Sequence, residues 1–134
     1  MTRRASRELA FFILFEKSFS DASISEIIDN AGEARDVVSN NFAVSLAEGA
    51  VAHLEEIDNK ISEFSHKWSK ARLSRVALTL LRLALYEMFW EEEIPVSVSI
   101  NEAVELAKLY GGEADATFIN GVLGGISRGA EVEQ

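Results

Sequence analysis

The chain has no cysteine, one proline and two methionines among 134 residues. Without cysteine there is no disulfide framework, no thiolate nucleophile and no thiolate metal ligand, which suits a reducing cytoplasm. With Pro95 as the sole proline, little interrupts helical periodicity on either side of it. No run reaches the roughly 20 apolar residues that span a bilayer. The opening Met1-Thr2-Arg3-Arg4-Ala5-Ser6-Arg7 leads through Glu8 into an amphipathic segment with no small-residue cleavage site, so a soluble, unexported, cytoplasmic protein is expected. His53 and His66 have no carboxylate at ligand spacing, and no metal site is expected. Neither G-x-x-x-x-G-K-S/T, G-x-G-x-x-G nor G-x-S-x-G occurs. Glu91-Glu92-Glu93 is three successive acids pointing in different directions, the pattern of a solvated turn. No enzyme and no cofactor are expected.

Positive charge is also scarce: 13 Lys and Arg stand against 22 Asp and Glu, for a net charge of −9. Such a balance normally argues against nucleic acid, since phosphate binding is dominated by basic side chains. The distribution reverses that inference. Residues 1–7 carry three Arg and no acid, and residues 60–82 carry six Lys or Arg (Lys60, Lys67, Lys70, Arg72, Arg75, Arg82) against the single acid Glu63. An acidic body with two basic windows can orient a polyanion without attracting every polyanion.

The helical pattern is nearly continuous and strand signals are almost absent, so the fold class is all-α, with about six to seven helices. A first helix is predicted from about Thr2 to Phe19. On it Arg4, Arg7, Phe11 and Phe15 share one stripe, while Leu9, Phe12, Ile13 and Phe19 line a neighbouring face suited to the core. The stripe is a candidate binding surface, with Phe11 assigned mostly to the core. Residues 20–23 form a polar break that offers an N-cap to a short helix over 24–31, ending near Gly32. Phe42, Leu46, Ala50, Leu54, Ile57, Ile61 and Phe64 predict one long helix. The segment from Leu73 to Trp90 is apolar around almost its whole circumference and is expected to be central. After Pro95, Ser99-Ile100-Asn101-Glu102 matches a capping box and predicts a helix from Ser99 to Gly111-Gly112. A last helix carries Phe118, Ile119, Val122, Leu123 and Ile126, and the tail from Gly129 is expected to fray.

From Trp68 onward multi-residue words accumulate: Trp68-Ser69-Lys70 with Arg72-Leu73, then Leu81-Arg82-Leu83-Ala84-Leu85-Tyr86-Glu87, then Ile94-Pro95. Ile100-Asn101-Glu102-Ala103-Val104-Glu105-Leu106-Ala107-Lys108, Tyr110-Gly111 and Phe118-Ile119-Asn120-Gly121-Val122-Leu123 follow. In this order and spacing they resemble the NusB family of bacterial transcription antitermination factors, and Arg3-Arg4-x-x-Arg7-Glu8 fits that family's arginine-rich start.

The resemblance implies two small helical bundles sharing a core, here residues 1–66 and 67–130 of a single NusB-like domain, with 131–134 as a frayed tail. It implies a ribosomal protein partner, NusE, with which the family binds single-stranded boxA RNA in a transcription complex with RNA polymerase, notably on ribosomal RNA operons. Arg3, Arg4, Arg7, Lys70, Arg72 and Phe118 are then the candidate RNA contacts, and Phe15, Ser74 and Arg75 the candidate NusE contacts. The chain has Ser74 before Arg75 where the family usually shows an acid, Phe15 where it often has Tyr, and Ala114 where members often carry a polar or acidic residue. An interaction module of the same type without specific RNA recognition, such as a homodimer or an accessory domain, is the alternative. The absence of a following catalytic domain disfavours the accessory form.

Overall fold

The computed structural model describes residues 2–30, 41–64 and 73–133. Among them there are seven helices and no strand: α1 Arg3–Lys17, α2 Ile24–Asn30, α3 Asn41–Ala52, α4 Leu54–Phe64, α5 Arg75–Trp90, α6 Val96–Tyr110 and α7 Glu113–Glu133. Among the described residues no helix is long and apolar enough to cross a membrane.

Helix α5 is the hub, because Leu80, Leu81, Leu83 and Leu85 point to different sides of it and all are buried. A helix apolar around its circumference needs neighbours on several sides, and α5 packs on α1, α3, α4, α6 and α7. Leu46 from α3, Ile57 and Ile61 from α4, and Ile119 and Leu123 from α7 close on it to make one core.

Local chemistry explains most helix ends. Thr2 caps α1 by accepting from the Ala5 amide at 3.0 Å. Ser23 and Glu26 form a reciprocal capping box at α2, with N–H to oxygen distances of 3.3 and 3.1 Å. Gly112 adopts φ +95°, a conformation costly for any side chain, and lets α6 stop and α7 begin within two residues.

Two expectations need correction. The helix expected over Phe42 to Phe64 is two, divided at His53, whose ring stacks on Trp90 at 4.2 Å between centroids. The capping box expected at Ser99 does not form; α6 begins three residues earlier behind Pro95, whose fixed φ suits a helix entrance. The segment after Gly112 is the first turn of α7, where Glu113 and Asp115 complement the helix dipole.

Candidate nucleic-acid interface

Helix α1 carries two surfaces, one at each end. At its start, the Arg3 guanidinium lies 3.7 Å from the centroid of the Phe42 ring on α3. The Arg4 side chain is 67% exposed and grips the carboxylate of Glu102 on α6 with two nitrogens, Nε to Oε2 at 2.9 Å and Nη2 to Oε1 at 3.1 Å.

Arg7 differs from both. Its side chain is only 5% exposed, and Nε donates to both oxygens of Glu87, at 2.9 and 3.0 Å. The Ser99 hydroxyl donates to the same carboxylate at 3.1 Å, so the pair is satisfied on its third side. Burial pushes the Glu87 pKa above the usual carboxylate value, while the charge of Arg7 and the hydrogen bonds from Arg7 and Ser99 pull it back only in part. Arg7 is thus not the exposed phosphate contact expected of it. It lies on the same helical face as Ala10, Phe11 and Leu14, all buried, and that face turns into the core.

At the other end of α1 the pattern inverts. Phe11 is buried, as expected despite its place on the stripe, but Phe12 and Phe19, expected in the core, are 44% and 61% exposed. Phe15 is half-buried between Phe11 and Phe19, with centroid distances of 5.8 and 5.1 Å. Exposed Tyr110 at the end of α6 packs edge-on against Phe12 at 5.3 Å, and its hydroxyl donates to Glu8 at 2.8 Å. Arg75 covers Phe19 at 4.6 Å from the ring centroid and donates from Nη1 to the Ser18 carbonyl at 2.7 Å. The expected partner contacts Phe15 and Arg75 are therefore joined through Phe19.

Ser74 continues this line. It is the N-cap of α5, accepting from the Ala77 amide at 2.9 Å while its hydroxyl donates to Asp115 Oδ2 at 2.8 Å. Asp115 leads to Phe118, which packs partly on the core and lines a largely apolar cleft of about 620 Å³ together with Leu73, Ser74, Ala77 and Ala114. The candidates Ser74 and Phe118 thus share a cleft. Lys70 and Arg72 lie outside the described residues.

The start of α1 and this aromatic line are separate surfaces: Arg4 and Phe15 lie eleven residues apart on one helix, about 16 Å along its axis. Sequence reasoning missed Glu87, Glu102 and Phe42, the internal partners of the three arginines. Glu87 left a trace, since an acid inside an otherwise apolar helix requires a buried partner.

No cluster of His, Cys, Asp or Glu able to hold a metal occurs among the described residues. An all-helical protein whose exposed features are aromatic rings, paired arginines and an apolar cleft belongs to the class of small binding modules. More particularly, the chain belongs to the NusB family, whose model matches residues 4–128. It is 42% identical to the transcription antitermination protein NusB of Clostridium acetobutylicum over 98% of both chains. Among solved structures, NusB of T. maritima aligns with a TM-score of 0.85 at 38% identity, covering 96% of this chain and 92% of that one. A NusB solved with the antitermination factor NusE and double-stranded RNA aligns with a TM-score of 0.84 at 28% identity, covering 95% of this chain and 96% of that one.

Proposed function

We propose that this protein is a cytoplasmic transcription antitermination factor that binds boxA-type RNA jointly with NusE and aids transcription of ribosomal RNA operons. The observation that carries the reading is the near full-length likeness to a NusB seen with both NusE and RNA. The two surfaces of α1 divide the work. Arg3 and Arg4 face the RNA backbone, and Phe118, in the cleft it shares with Ser74, offers a ring for a base; Lys70 and Arg72 are further candidates for phosphate contact. Phe15, Phe19 and Arg75, with Ser74 behind them, form the NusE side, where exposed aromatic rings supply the buried anchors a protein interface needs.

Fluorescence anisotropy of labelled boxA RNA tests this. NusE is expected to tighten RNA binding at least tenfold over either protein alone, and single-stranded RNA is expected to bind more tightly than the same sequence in a duplex. RNA affinity indifferent to NusE refutes the proposal. The exposed Phe12, Phe19 and Tyr110 also favour a second occupant, another copy of this chain. Sedimentation equilibrium separates the two: a dimer that NusE fails to dissociate identifies the aromatic surface as a homodimer contact.

A further inference from the structure

We infer that Arg7 is a positioning residue for RNA recognition: locked to Glu87 and through it to Ser99, it sets the pose of α1 and so the places of Arg3 and Arg4, without touching RNA itself. This rests on the reading that the arginine end of α1 meets RNA. Three elements meet at the lock, α1 through Arg7, α5 through Glu87 and α6 through Ser99. One turn earlier on α1 and one turn later on α6, Arg4 and Glu102 make a second contact between the same two helices.

The chemistry of the lock suits this task. Apolar packing is non-directional and tolerates a helix rolling about its axis. A charged hydrogen bond has one good geometry, and a buried ion pair that loses it becomes costly. At the roughly 5–6 Å radius of a helix surface, a roll of about 20° moves a side-chain atom by about 2 Å, enough to break a hydrogen bond to a phosphate. Arg7 is also too enclosed to offer its guanidinium to a phosphate while the pair with Glu87 stands.

The test measures RNA affinity at several salt concentrations, with NusE present, for the natural protein, R4A, R7M and the double variant R7M/E87M, alongside the thermal midpoint of each. R4A is expected to weaken binding and to lower the slope of log affinity against log salt by about 0.7, the value of one phosphate contact on a single strand. R7M is expected to bind about tenfold more weakly with an unchanged slope. R7M/E87M removes both buried charges and is expected to recover the thermal midpoint but not the RNA affinity, again with an unchanged slope. A slope lowered in both Arg7 variants makes Arg7 a direct contact and overturns the inference. Full recovery of RNA affinity in the double variant makes the pair merely structural and overturns it equally. Absence of RNA binding by the natural protein overturns the RNA reading itself, and the inference with it.

Discussion

The two ends of helix α1 break the ordinary rule of burial in opposite directions. At the start, a guanidinium goes inside: Arg7 sits beneath the surface against Glu87. At the finish, large apolar rings go outside, with Phe12 and Phe19 exposed beside Tyr110. Charged residues are almost never buried unless paired, and exposed aromatic clusters mark sites that something else covers. The first end has therefore already used its polar groups internally, whereas the second keeps apolar area in reserve for a partner. Stability is vested in the arginine end, and binding energy in the aromatic end.

The sharpest way to break this contrast is to truncate within one end. Arg7→Ala leaves Glu87 buried without its counter-ion and is expected to cost about 3–5 kcal/mol of folding stability. Arg4→Ala, removing an exposed member of the same cluster, is expected to leave the thermal midpoint unchanged. Denaturant unfolding of both variants checks this, and equal losses would erase the distinction between them. The neighbouring phenylalanines provide the matching comparison at the other end. Phe11→Ala opens the core and is expected to cost about 3–5 kcal/mol. Phe12→Ala is expected to change stability by less than about 0.5 kcal/mol.

Binding is expected to respond the other way round. Phe15→Ala and Phe19→Ala should each weaken NusE by about tenfold or more, as anchor residues do when they lie near the centre of an interface. Calorimetric titration with NusE reads this directly. Affinity unchanged by both substitutions would move the interface off the end of α1.

These pairs also show what was legible in the sequence. Helical periodicity identified the elements apart from the break at His53, the central role of α5 and the stop at Gly111-Gly112, because those depend on local spacing and backbone chemistry. It grouped Arg4, Arg7, Phe11 and Phe15 on one stripe, but a stripe does not declare which way it faces. Phe11 and Phe12 are the same residue type one position apart, and only the packing of α3 and α5 against α1 decides that the first is enclosed and the second exposed. Ser99 and Glu102 illustrate the same limit. Their spacing is that of a capping box, yet each is committed to another helix, Ser99 to Glu87 and Glu102 to Arg4. Ser23 and Glu26, which have no such tertiary partner among the described residues, do form the box.

A smaller effect is expected at Ser74, where the resemblance suggested a NusE contact and the geometry adds a cap. Ser74→Ala removes the hydroxyl that receives the Ala77 amide and should cost about 1 kcal/mol of stability. Ser74→Glu, chosen to restore an acid before Arg75, also abolishes the cap and sets a second carboxylate beside Asp115. It is expected to lower the thermal midpoint without strengthening NusE binding. Tighter, salt-sensitive binding of NusE by Ser74→Glu would return this position to the interface.

The smallest expected change lies at Glu102 and bears on whether the arginine end is open to RNA at all. In the free protein Arg4 is held by a carboxylate on two nitrogens, the geometry a phosphate would use. RNA must therefore exchange one anion for another, and only the difference between them contributes to affinity. Arg4 is 67% exposed and Glu102 17%, so water reaches the pair and breaking it disturbs the fold little. Glu102→Gln is thus expected to leave the thermal midpoint in place and to tighten RNA binding by about twofold to fivefold, since one competing anion is gone and the local potential is less negative. Anisotropy titrations at matched salt measure the change. Weaker binding by Glu102→Gln would reverse the assignment, making Glu102 the residue that holds Arg4 ready for phosphate and placing both ends of α1 among surfaces prepared in advance for a ligand.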